Sequence, residues 1–347
     1  MPKVWYVAIV GRPNAGKSTL INALIGERVS AISSRPQTTQ RTIPGIYTDD
    51  EKGIQIIFLD TPWIHHDPRE QFGSQKSGEI HTRINAQAFA GLRDADIILR
   101  LIDPTRPQWA EDERIDEALS YNNKPIIRIE TKQDLEKWYL GKNIDFKIDS
   151  VNHTGFDELL AAIAEKLPEW PYLYDEDQYT DQTMELRISE VIREQLFASL
   201  GEEIPYACYI EVGSIENGVE TNSINPRISQ KQEVQGSKII SIEAYPSISD
   251  WEINFTNDEL RHFSEIPKNK KGKLPMLSIQ AYINTETDSQ KTILIGKWGK
   301  KIQDIGTASR LILEEIFGKK VFLALRVKVD KNWRKNQKTL ERLFPKK

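Results

Sequence analysis

The sequence of 347 residues has few of the residues that build disulfides, metal sites and membrane spans. Its one cysteine, Cys208, excludes an internal disulfide and a cysteine-based zinc site. Its five histidines lack the spacing of metal ligands, and no apolar run approaches the roughly 18 residues of a membrane-spanning helix. Since an apolar run already begins at Val4, we expect no signal peptide. These absences favour a soluble, cytoplasmic protein.

Acidic and basic residues occur in similar numbers but lie in different parts of the chain. The net charge is −4, whereas residues 268–347 contain 20 Lys and Arg against 7 Asp and Glu. That segment has a net charge of +13, so the rest of the chain carries −17. Such asymmetry favours an anionic partner for the C-terminal part, most often nucleic acid. A solvated Lys-rich tail is the alternative.

The most informative motif lies at residues 8–18, where Ala-Ile-Val-Gly-Arg-Pro-Asn-Ala-Gly-Lys-Ser fits G-x-x-x-x-G-K-[ST] without a mismatch. An apolar run precedes the motif and a helical pattern follows it, as in a phosphate-binding loop. Glycines let backbone N–H groups surround phosphate oxygens, and a helix N-terminus adds partial positive charge. We assign Lys17 to the β- and γ-phosphates and Ser18 to Mg²⁺; an ordinary glycine-containing turn is the alternative. The predicted nucleotide-binding residues here are Gly11, Arg12, Pro13, Asn14, Ala15, Gly16, Lys17, Ser18 and Thr19.

Apolar runs alternate with helical patterns over residues 1–170, which predicts an α/β domain with a mainly parallel, doubly wound sheet. A proline-containing break then begins a linker at 171–182. We assign 183–340 to a second domain, in which the polar stretch 213–273 is interpreted as an insertion. The strands predicted in the first domain are Val4–Val10, Ile43–Thr48, Gln55–Leu59, Ile97–Ile102, Pro125–Glu130 and Phe146–Ile148, and those in the second are Tyr206–Val212 and Pro275–Asn284.

Two further motifs follow predicted strands of the first domain. Asp60-Thr61-Pro62 follows one strand, and an acidic side chain at that position can help to hold Mg²⁺. Thr131-Lys132-Gln133-Asp134 follows another, and its final carboxylate can accept hydrogen bonds from both N1–H and the 2-amino group of guanine. Adenine cannot donate both, so the motif predicts guanine binding; a surface turn is the alternative. Between the P-loop and Asp60, Thr39 is the candidate that ligates Mg²⁺ when a γ-phosphate is present.

A second glycine motif lies in the basic C-terminal part of the chain. Gly296-Lys297-Trp298-Gly299 is a G-x-x-G loop, which we place between an apolar strand and the helix Ile302–Phe317. This is the arrangement of K-homology (KH) domains, in which glycines admit the RNA backbone and lysines meet phosphates. A helix-starting turn is the usual alternative for G-x-x-G alone. The predicted RNA-binding residues are Lys291, Gly296, Lys297, Trp298, Gly299, Lys300 and Lys301.

These motifs, in this order, resemble the Era family of bacterial GTPases over nearly the whole chain. The resemblance extends to Ile188–Glu194, Gly201–Tyr206, Thr287–Lys291 and Gly318–Phe322. It implies a P-loop GTPase domain followed by an α+β type II KH domain. The implied cofactors are GTP or GDP and Mg²⁺, and the implied reaction is slow GTP hydrolysis.

The same resemblance implies a biological role. Era-like proteins bind the 3′ end region of the small-subunit (16S) rRNA, so the chain is expected to assist assembly of the 30S subunit, as a cytoplasmic monomer. A peripheral contact with the inner face of the cell membrane, through the Lys-rich C-terminus, stays open as an alternative.

The chain departs from the family pattern after Asp60. Trp63 replaces a glycine whose flexibility lets this segment change conformation, so we expect GTP binding with weakened coupling to nucleotide state. Ile64 stands where other GTPases have the glutamine that orients the attacking water; Era-like proteins share this substitution. Catalysis is then expected to rest on Lys17, Mg²⁺ and backbone dipoles. Trp63 and Ile64 both remain among the predicted nucleotide-binding residues.

Other departures concern the base. Thr131 replaces the usual asparagine, and we expect its hydroxyl to tie neighbouring loops together. Asp149-Ser150 replaces a Ser-Ala pair, leaving Ser150 to offer a backbone N–H to guanine. In relatives Asn14 helps bind K⁺ near the phosphates, so we group it with Lys17 as catalytic, with K⁺ as an open addition. Together these departures leave a second function possible: a degenerate GTPase that binds nucleotide, barely cycles between GTP and GDP, and acts mainly as an RNA-binding assembly factor.

Overall fold

The computed structural model describes residues 2–32, 41–62, 79–107, 110–139, 143–200, 204–219 and 275–344. The chain divides into two compact units, one formed by Met1–Glu190 with Asn332–Lys347 and the other by Val191–Lys331. Among the described residues, none of the helices combines the length and the apolar character needed to cross a membrane.

The first unit is built on a six-stranded sheet with the strand order β2-β3-β1-β4-β5-β6. Its strands are β1 (Lys3–Val10), β2 (Ile43–Asp49), β3 (Ile54–Asp60), β4 (Ile97–Ile102), β5 (Ile126–Glu130) and β6 (Phe146–Lys147). β2 pairs antiparallel with β3, and every other pair in this sheet is parallel. All six strands predicted from the apolar runs are present, with ends within one residue of the prediction.

Helices cover both faces of this sheet. They are α1 (Lys17–Ile25), α2 (Glu79–Asp94), α3 (Ala110–Ser120) and α4 (Phe156–Ala164). Ile9 of β1 shares one buried cluster with Leu20 of α1 and Leu159 of α4, whereas the adjacent Ala8 shares the opposite cluster with Leu92 of α2. Because neighbouring strand residues point to opposite faces, a continuous apolar strand implies helices on both sides. The doubly wound α/β prediction is confirmed.

The predicted linker is held against the first unit by its backbone. The amides of Leu173 and Tyr174 donate hydrogen bonds to Oε1 of the buried Gln55, at 2.8 and 3.1 Å. Farther along, the amide of Ile46 in β2 donates to the carbonyl of Tyr179 at 2.9 Å. The segment 171–182 therefore follows the strands β2 and β3, to which these hydrogen bonds hold it.

The C-terminal residues also belong to the first unit. Trp333 opens a short 3₁₀ turn and is 1% exposed, and Leu340 of the following helix α8 (Gln337–Leu343) is fully buried. These buried apolar side chains anchor the segment to the first unit. The compact units thus divide at Glu190 and Asn332, whereas the sequence places the second domain at 183–340.

The second unit contains a three-stranded sheet in the order β7-β8-β9. Its strands are β7 (Cys208–Val219), β8 (Pro275–Thr285) and β9 (Lys320–Val329), and its helices are α6 (Asp288–Ile295) and α7 (Lys300–Phe317), with the end of α5 (Met184–Ser199). β7 pairs antiparallel and β9 parallel with β8. Alternate residues of β8 from Leu277 to Ile283 are fully buried, so one face of this sheet carries the core.

β7 continues past its predicted end at Val212. Residues 213–219, which the sequence analysis assigned to the insertion, pair with β8 after a bulge at Gly213. Main-chain hydrogen bonds hold this polar stretch in the sheet, so its low hydrophobicity does not prevent pairing. The remainder of the predicted insertion, 220–273, lies outside the described residues.

The G-x-x-G loop follows a helix, α6, so the predicted apolar strand before it is wrong. Thr287 forms a capping box with Gln290: the Thr287 hydroxyl accepts from the Gln290 amide, and Gln290 Oε1 accepts from the Thr287 amide. This reciprocal cap starts a helix whose last turn contains the apolar residues that suggested a strand. The short apolar run alone could not distinguish these structures.

Candidate functional site: the P-loop and the G-x-x-G loop

The P-loop joins β1 to the first turn of α1. Gly16 precedes α1 with φ +90°, and Asn14 has φ +63°, both in the left-handed region. A Cβ added at Gly11 would lie 3.1 Å from the carbonyl oxygen of Leu101, so only glycine fits without a shift. Because Gly16 has no side chain that could cap the helix, the N–H groups of its first turn remain suited to an anion.

Two of the predicted Mg²⁺ ligands, Ser18 and Asp60, meet at the start of α1. The Ser18 hydroxyl donates to Oδ2 of Asp60 at 2.8 Å, and Asp60 is fully buried at the end of β3. A hydroxyl and a carboxylate are hard oxygen donors that fit Mg²⁺. The third predicted ligand, Thr39, lies outside the described residues, and so do Trp63 and Ile64; their roles stay predictions.

The Lys17 amino group bridges the loop that precedes it. Its Nζ donates to the carbonyl oxygens of Gly11 at 3.1 Å and Arg12 at 3.3 Å. Removal from water lowers the pKa of Lys17 below its ordinary value, although the nearby Asp60 carboxylate opposes this shift. A phosphate group would supply the negative charge that this desolvated ammonium needs.

The predicted base-binding loop is tied directly to the P-loop. The Thr131 hydroxyl donates to the backbone carbonyl of Ala15 at 2.9 Å, across 116 positions of sequence. Lys132 has φ +54° and its Nζ donates to Oδ2 of Asp103 at 2.8 Å. Asp134, the predicted guanine ligand, is exposed. The structure therefore brings the phosphate and base motifs together through Thr131.

Neighbouring predicted residues support these loops. The Thr61 hydroxyl donates to the carbonyl of Ile9 at 2.7 Å, which fixes the backbone just after Asp60, and Pro62 beside it is buried. Gln133 donates through Nε2 to Oε1 of Glu130 at 3.1 Å. These contacts hold the motifs at the ends of their strands.

The Asp149-Ser150 pair lies in a turn organised by its aspartate. The Asp149 carboxylate accepts from the amides of Val151 and Asn152, both at 2.9 Å, and from the Asn152 side chain at 2.6 Å. The side-chain hydrogen bond from Asn152, with these backbone bonds, lowers the pKa of Asp149. Because the carboxylate serves the turn, the Ser150 backbone remains the predicted donor to guanine.

Arg12 has a structural role that the sequence analysis missed. It is 3% exposed, and its guanidinium donates to the carbonyls of Asp103 and Pro107, both at 2.9 Å, and to Oδ2 of Asp112 at 3.3 Å. The P-loop is thereby fastened to the loop after β4 and to α3. That same loop carries the Asp103 carboxylate that contacts Lys132.

A second buried arginine completes this ion network. Arg100 lies in β4, is 1% exposed, and donates to Oδ1 of Asp112 and Oδ1 of Asp116, both at 2.9 Å. A basic residue inside the apolar strand Ile97–Ile102 was the available sequence signal, because a buried charge needs a partner. Only the packing of α3 on the sheet identifies that partner.

The G-x-x-G loop of the second unit has a backbone that depends on its glycines. Gly296 and Gly299 have φ +72° and +77°, and a Cβ at Gly296 would lie 2.7 Å from the Lys301 Cβ. The central residues Lys297 and Trp298 are exposed, as is Lys300 at the start of α7. The remaining predicted residues, Lys291 and Lys301, are half-buried on α6 and α7.

Comparison with known proteins agrees with this division into two kinds of site. Residues 6–132 match the family model described as 50S ribosome-binding GTPase, and residues 259–334 match the KH domain model. GTPase Era of Thermoanaerobacter pseudethanolicus is 35% identical over 353 aligned positions, gaps included, and the alignment covers 98% of this chain and 96% of that protein. The chain belongs to the Era family of GTPases. GTPase Era of Borrelia garinii subsp. bavariensis is 31% identical, covering 99% of both proteins.

Solved structures of Era proteins are similar over the same length. A single-residue variant of Aquifex aeolicus Era bound to GDP and aluminium fluoride is 30% identical, with a TM-score of 0.74 and 99% coverage of both chains. Era in complex with MgGDPNP and nucleotides 1506–1542 of 16S ribosomal RNA gives the same values. The predicted family, the P-loop and KH fold class and the GTPase activity are confirmed.

Proposed function

We propose that this Era-family GTPase is a molecular switch that binds the 3′ end region of 16S rRNA and assists assembly of the 30S subunit. The observation that carries the nucleotide part is the meeting of Ser18 and Asp60, 2.8 Å apart, at an α1 N-terminus preceded by Gly16. This arrangement offers a phosphate cradle and a pair of oxygen ligands at one place.

Different residues of the first unit bind different parts of the nucleotide. The backbone amides of Gly16 and of the residues after it donate hydrogen bonds to the phosphates, Lys17 supplies a positive charge, and Ser18 with Asp60 holds Mg²⁺. Bound Mg²⁺ would neutralise the negative charge on the phosphate oxygens. Asp134 accepts hydrogen bonds from guanine, while Thr131 keeps its loop beside the P-loop.

Hydrolysis is proposed to rely on electrostatics and positioning. Ile64 has no group that could orient or deprotonate water, so stabilisation falls to Lys17 and the backbone amides of the loop. We keep Asn14, whose left-handed backbone shapes the P-loop, as the candidate for K⁺. If rates are the same in K⁺ and Na⁺ at equal ionic strength, K⁺ has no place in the reaction.

The RNA part of the proposal rests on the second unit. The positive-φ glycines Gly296 and Gly299 leave room for a nucleic-acid backbone, and the positive charges of the lysines beside them complement its negatively charged phosphates. The net charge of +13 over residues 268–347 favours the same class of partner. An Era relative bound to 16S rRNA makes the 3′ end region the RNA to test first.

Single-turnover hydrolysis of GTP, with and without RNA of the 16S 3′ end, tests the switch. The proposal predicts measurable GDP formation in Mg²⁺ and different RNA affinities for the GTP-bound and GDP-bound protein. Binding of GTP without hydrolysis would instead favour the second candidate function, an RNA-binding assembly factor that hardly hydrolyses GTP. The reason to consider this candidate is Trp63, which stands where the family has glycine. In that case Trp63→Gly should restore turnover; unchanged hydrolysis and unchanged GTP/GDP preference would remove Trp63 as the cause.

We propose a cytoplasmic location, where small ribosomal subunits assemble, and a monomeric state. A peripheral contact of the Lys-rich C-terminal part with the membrane remains the alternative. Sedimentation with vesicles containing anionic lipid tests this contact, and light scattering of the purified chain tests the monomer.

A further inference from the structure

The G-x-x-G loop presents one large aromatic side chain to solvent. Trp298 is 93% exposed, more than any other large hydrophobic residue that the structure describes. A tryptophan side chain normally contributes to stability by burying its large ring. At this exposure the Trp298 ring buries almost nothing, so the fold gains little from it.

The backbone conformation of Trp298 is also unfavourable for a residue with a large side chain. Trp298 has φ +58° and ψ +19°, in the left-handed region that bulky side chains rarely adopt. It lies between Gly296 and Gly299, which also have positive φ. A third glycine would suit this position better, and strain of this kind is typically retained at functional sites.

Basic residues flank Trp298 in the sequence of the loop. Lys297 precedes Trp298, and the exposed Lys300 begins α7 directly after Gly299, where the helix dipole adds positive potential. Lys301 follows on the first turn of α7. A flat aromatic face among cations is the combination with which proteins bind single-stranded nucleic acid: the ring stacks on a base and the cations contact phosphates.

We infer that Trp298 is a stacking platform for one unpaired base of a single-stranded RNA whose phosphates contact the loop lysines. The inference rests on the proposed RNA-binding function and extends it, because it adds a contact to a base in a loop that otherwise receives the backbone. Bases inside a duplex are already stacked, so Trp298 favours single strands over duplexes.

Substitution of the ring separates stacking from other effects. The probe is a fluorescein-labelled single-stranded RNA with the 16S 3′-end sequence, titrated with the full-length chain. Trp298→Leu is expected to weaken binding about 10-fold, whereas Trp298→Phe, which keeps a π face, costs less than about 3-fold. Trp170→Leu, at another exposed tryptophan (59%), is the matched control and leaves affinity unchanged. Binding of the same RNA annealed to its complement is expected to be equal in all four proteins.

A coupling experiment then identifies the stacked base. Abasic sites are placed at successive positions of the RNA. One position should weaken binding to the wild-type chain about 10-fold and have little further effect on Trp298→Leu. Additive losses at every position would mean that the ring does not stack on a base.

The remaining outcomes separate this inference from the function on which it rests. If Lys300→Ala with Lys301→Ala weakens RNA binding while Trp298→Leu does not, RNA binding stands and the stacking role is overturned. If the wild-type chain does not bind the RNA, the proposed function itself fails. If Trp298→Leu weakens attachment to phosphatidylserine vesicles but not to RNA, the ring is a membrane anchor and the inference is wrong. Trp298→Leu and Trp298→Phe should melt at the temperature of the wild type, because the exposed ring adds little to the fold, and this result excludes misfolding as the cause of weaker RNA binding.

Discussion

The Thr131 hydroxyl donates a hydrogen bond to the backbone carbonyl of Ala15 across 2.9 Å, and both residues are buried. This bond joins the loop that holds Asp134 to the loop that holds Lys17. The predicted phosphate-binding and base-binding loops are therefore joined directly, although the usual asparagine is replaced. The sequence predicted a tie of this kind from the hydroxyl of Thr131 alone.

Loss of this hydrogen bond should weaken nucleotide binding. Thr131→Val keeps the shape of the side chain but removes the donor and leaves the Ala15 carbonyl unsatisfied, at a cost of about 1–2 kcal/mol. If binding loses this whole amount, GTP and GDP affinities fall roughly 5- to 30-fold by calorimetry. Thr131→Asn, which restores a donor, should bind at least as tightly as the wild type. Equal affinities for the valine variant and the wild type would show that the tie has no role in binding.

The buried ion network predicts unequal effects of two aspartates on α3. Asp112 pairs with both Arg12 and Arg100, so Asp112→Ala leaves two buried guanidinium groups short of a partner. We expect its free energy of unfolding to fall by about 3–5 kcal/mol. The Asp116 side chain is 44% exposed, and Asp116→Ala should cost less than about 1 kcal/mol. Urea unfolding measures both; similar costs would contradict the proposed network.

Stability in acid should depend on Asp103. Burial alone would raise its pKa, but hydrogen bonds from Lys132 and Thr105 outweigh burial and hold the pKa below its ordinary value. A lowered carboxyl pKa in the folded protein gives stability that is complete above the unfolded pKa of about 3.9 and is lost as pH falls through the folded pKa. Urea unfolding between pH 6 and pH 3 should therefore show a smaller acid loss for Asp103→Asn than for the wild type. Parallel curves would contradict this role.

Mg²⁺ dependence should identify the hydroxyl ligand. Ser18→Ala removes the oxygen that faces Asp60, so we expect about 10-fold weaker GTP binding in Mg²⁺ and little change in EDTA. Ser18→Thr keeps a hydroxyl and serves as the matched control. An equal loss in Mg²⁺ and in EDTA would mean that Ser18 supports the loop rather than the metal ion.

Features set by local chemistry were predictable from the sequence, and features set by packing were not. The spacing from Gly11 to Ser18 predicts the P-loop because the two glycines meet backbone requirements and Lys17 and Ser18 supply the side chains that face phosphate and Mg²⁺. The partners of Arg100 depend on how α3 packs on the sheet, which no local pattern specifies. The strand predicted before the G-x-x-G loop failed because the capping box at Thr287 outweighed a short apolar run.

The central claim is that the P-loop holds the phosphates of a nucleotide while Asp134 selects guanine. Calorimetry of the purified, nucleotide-free chain in Mg²⁺ tests it directly, with GTP, ATP and xanthosine triphosphate as ligands. We predict binding of GTP and not ATP by the wild type. For Asp134→Asn we predict a preference for xanthosine triphosphate, since an amide N–H can donate to the 2-oxo group. Equal heats for GTP and ATP, or no heat with GTP, would contradict the account.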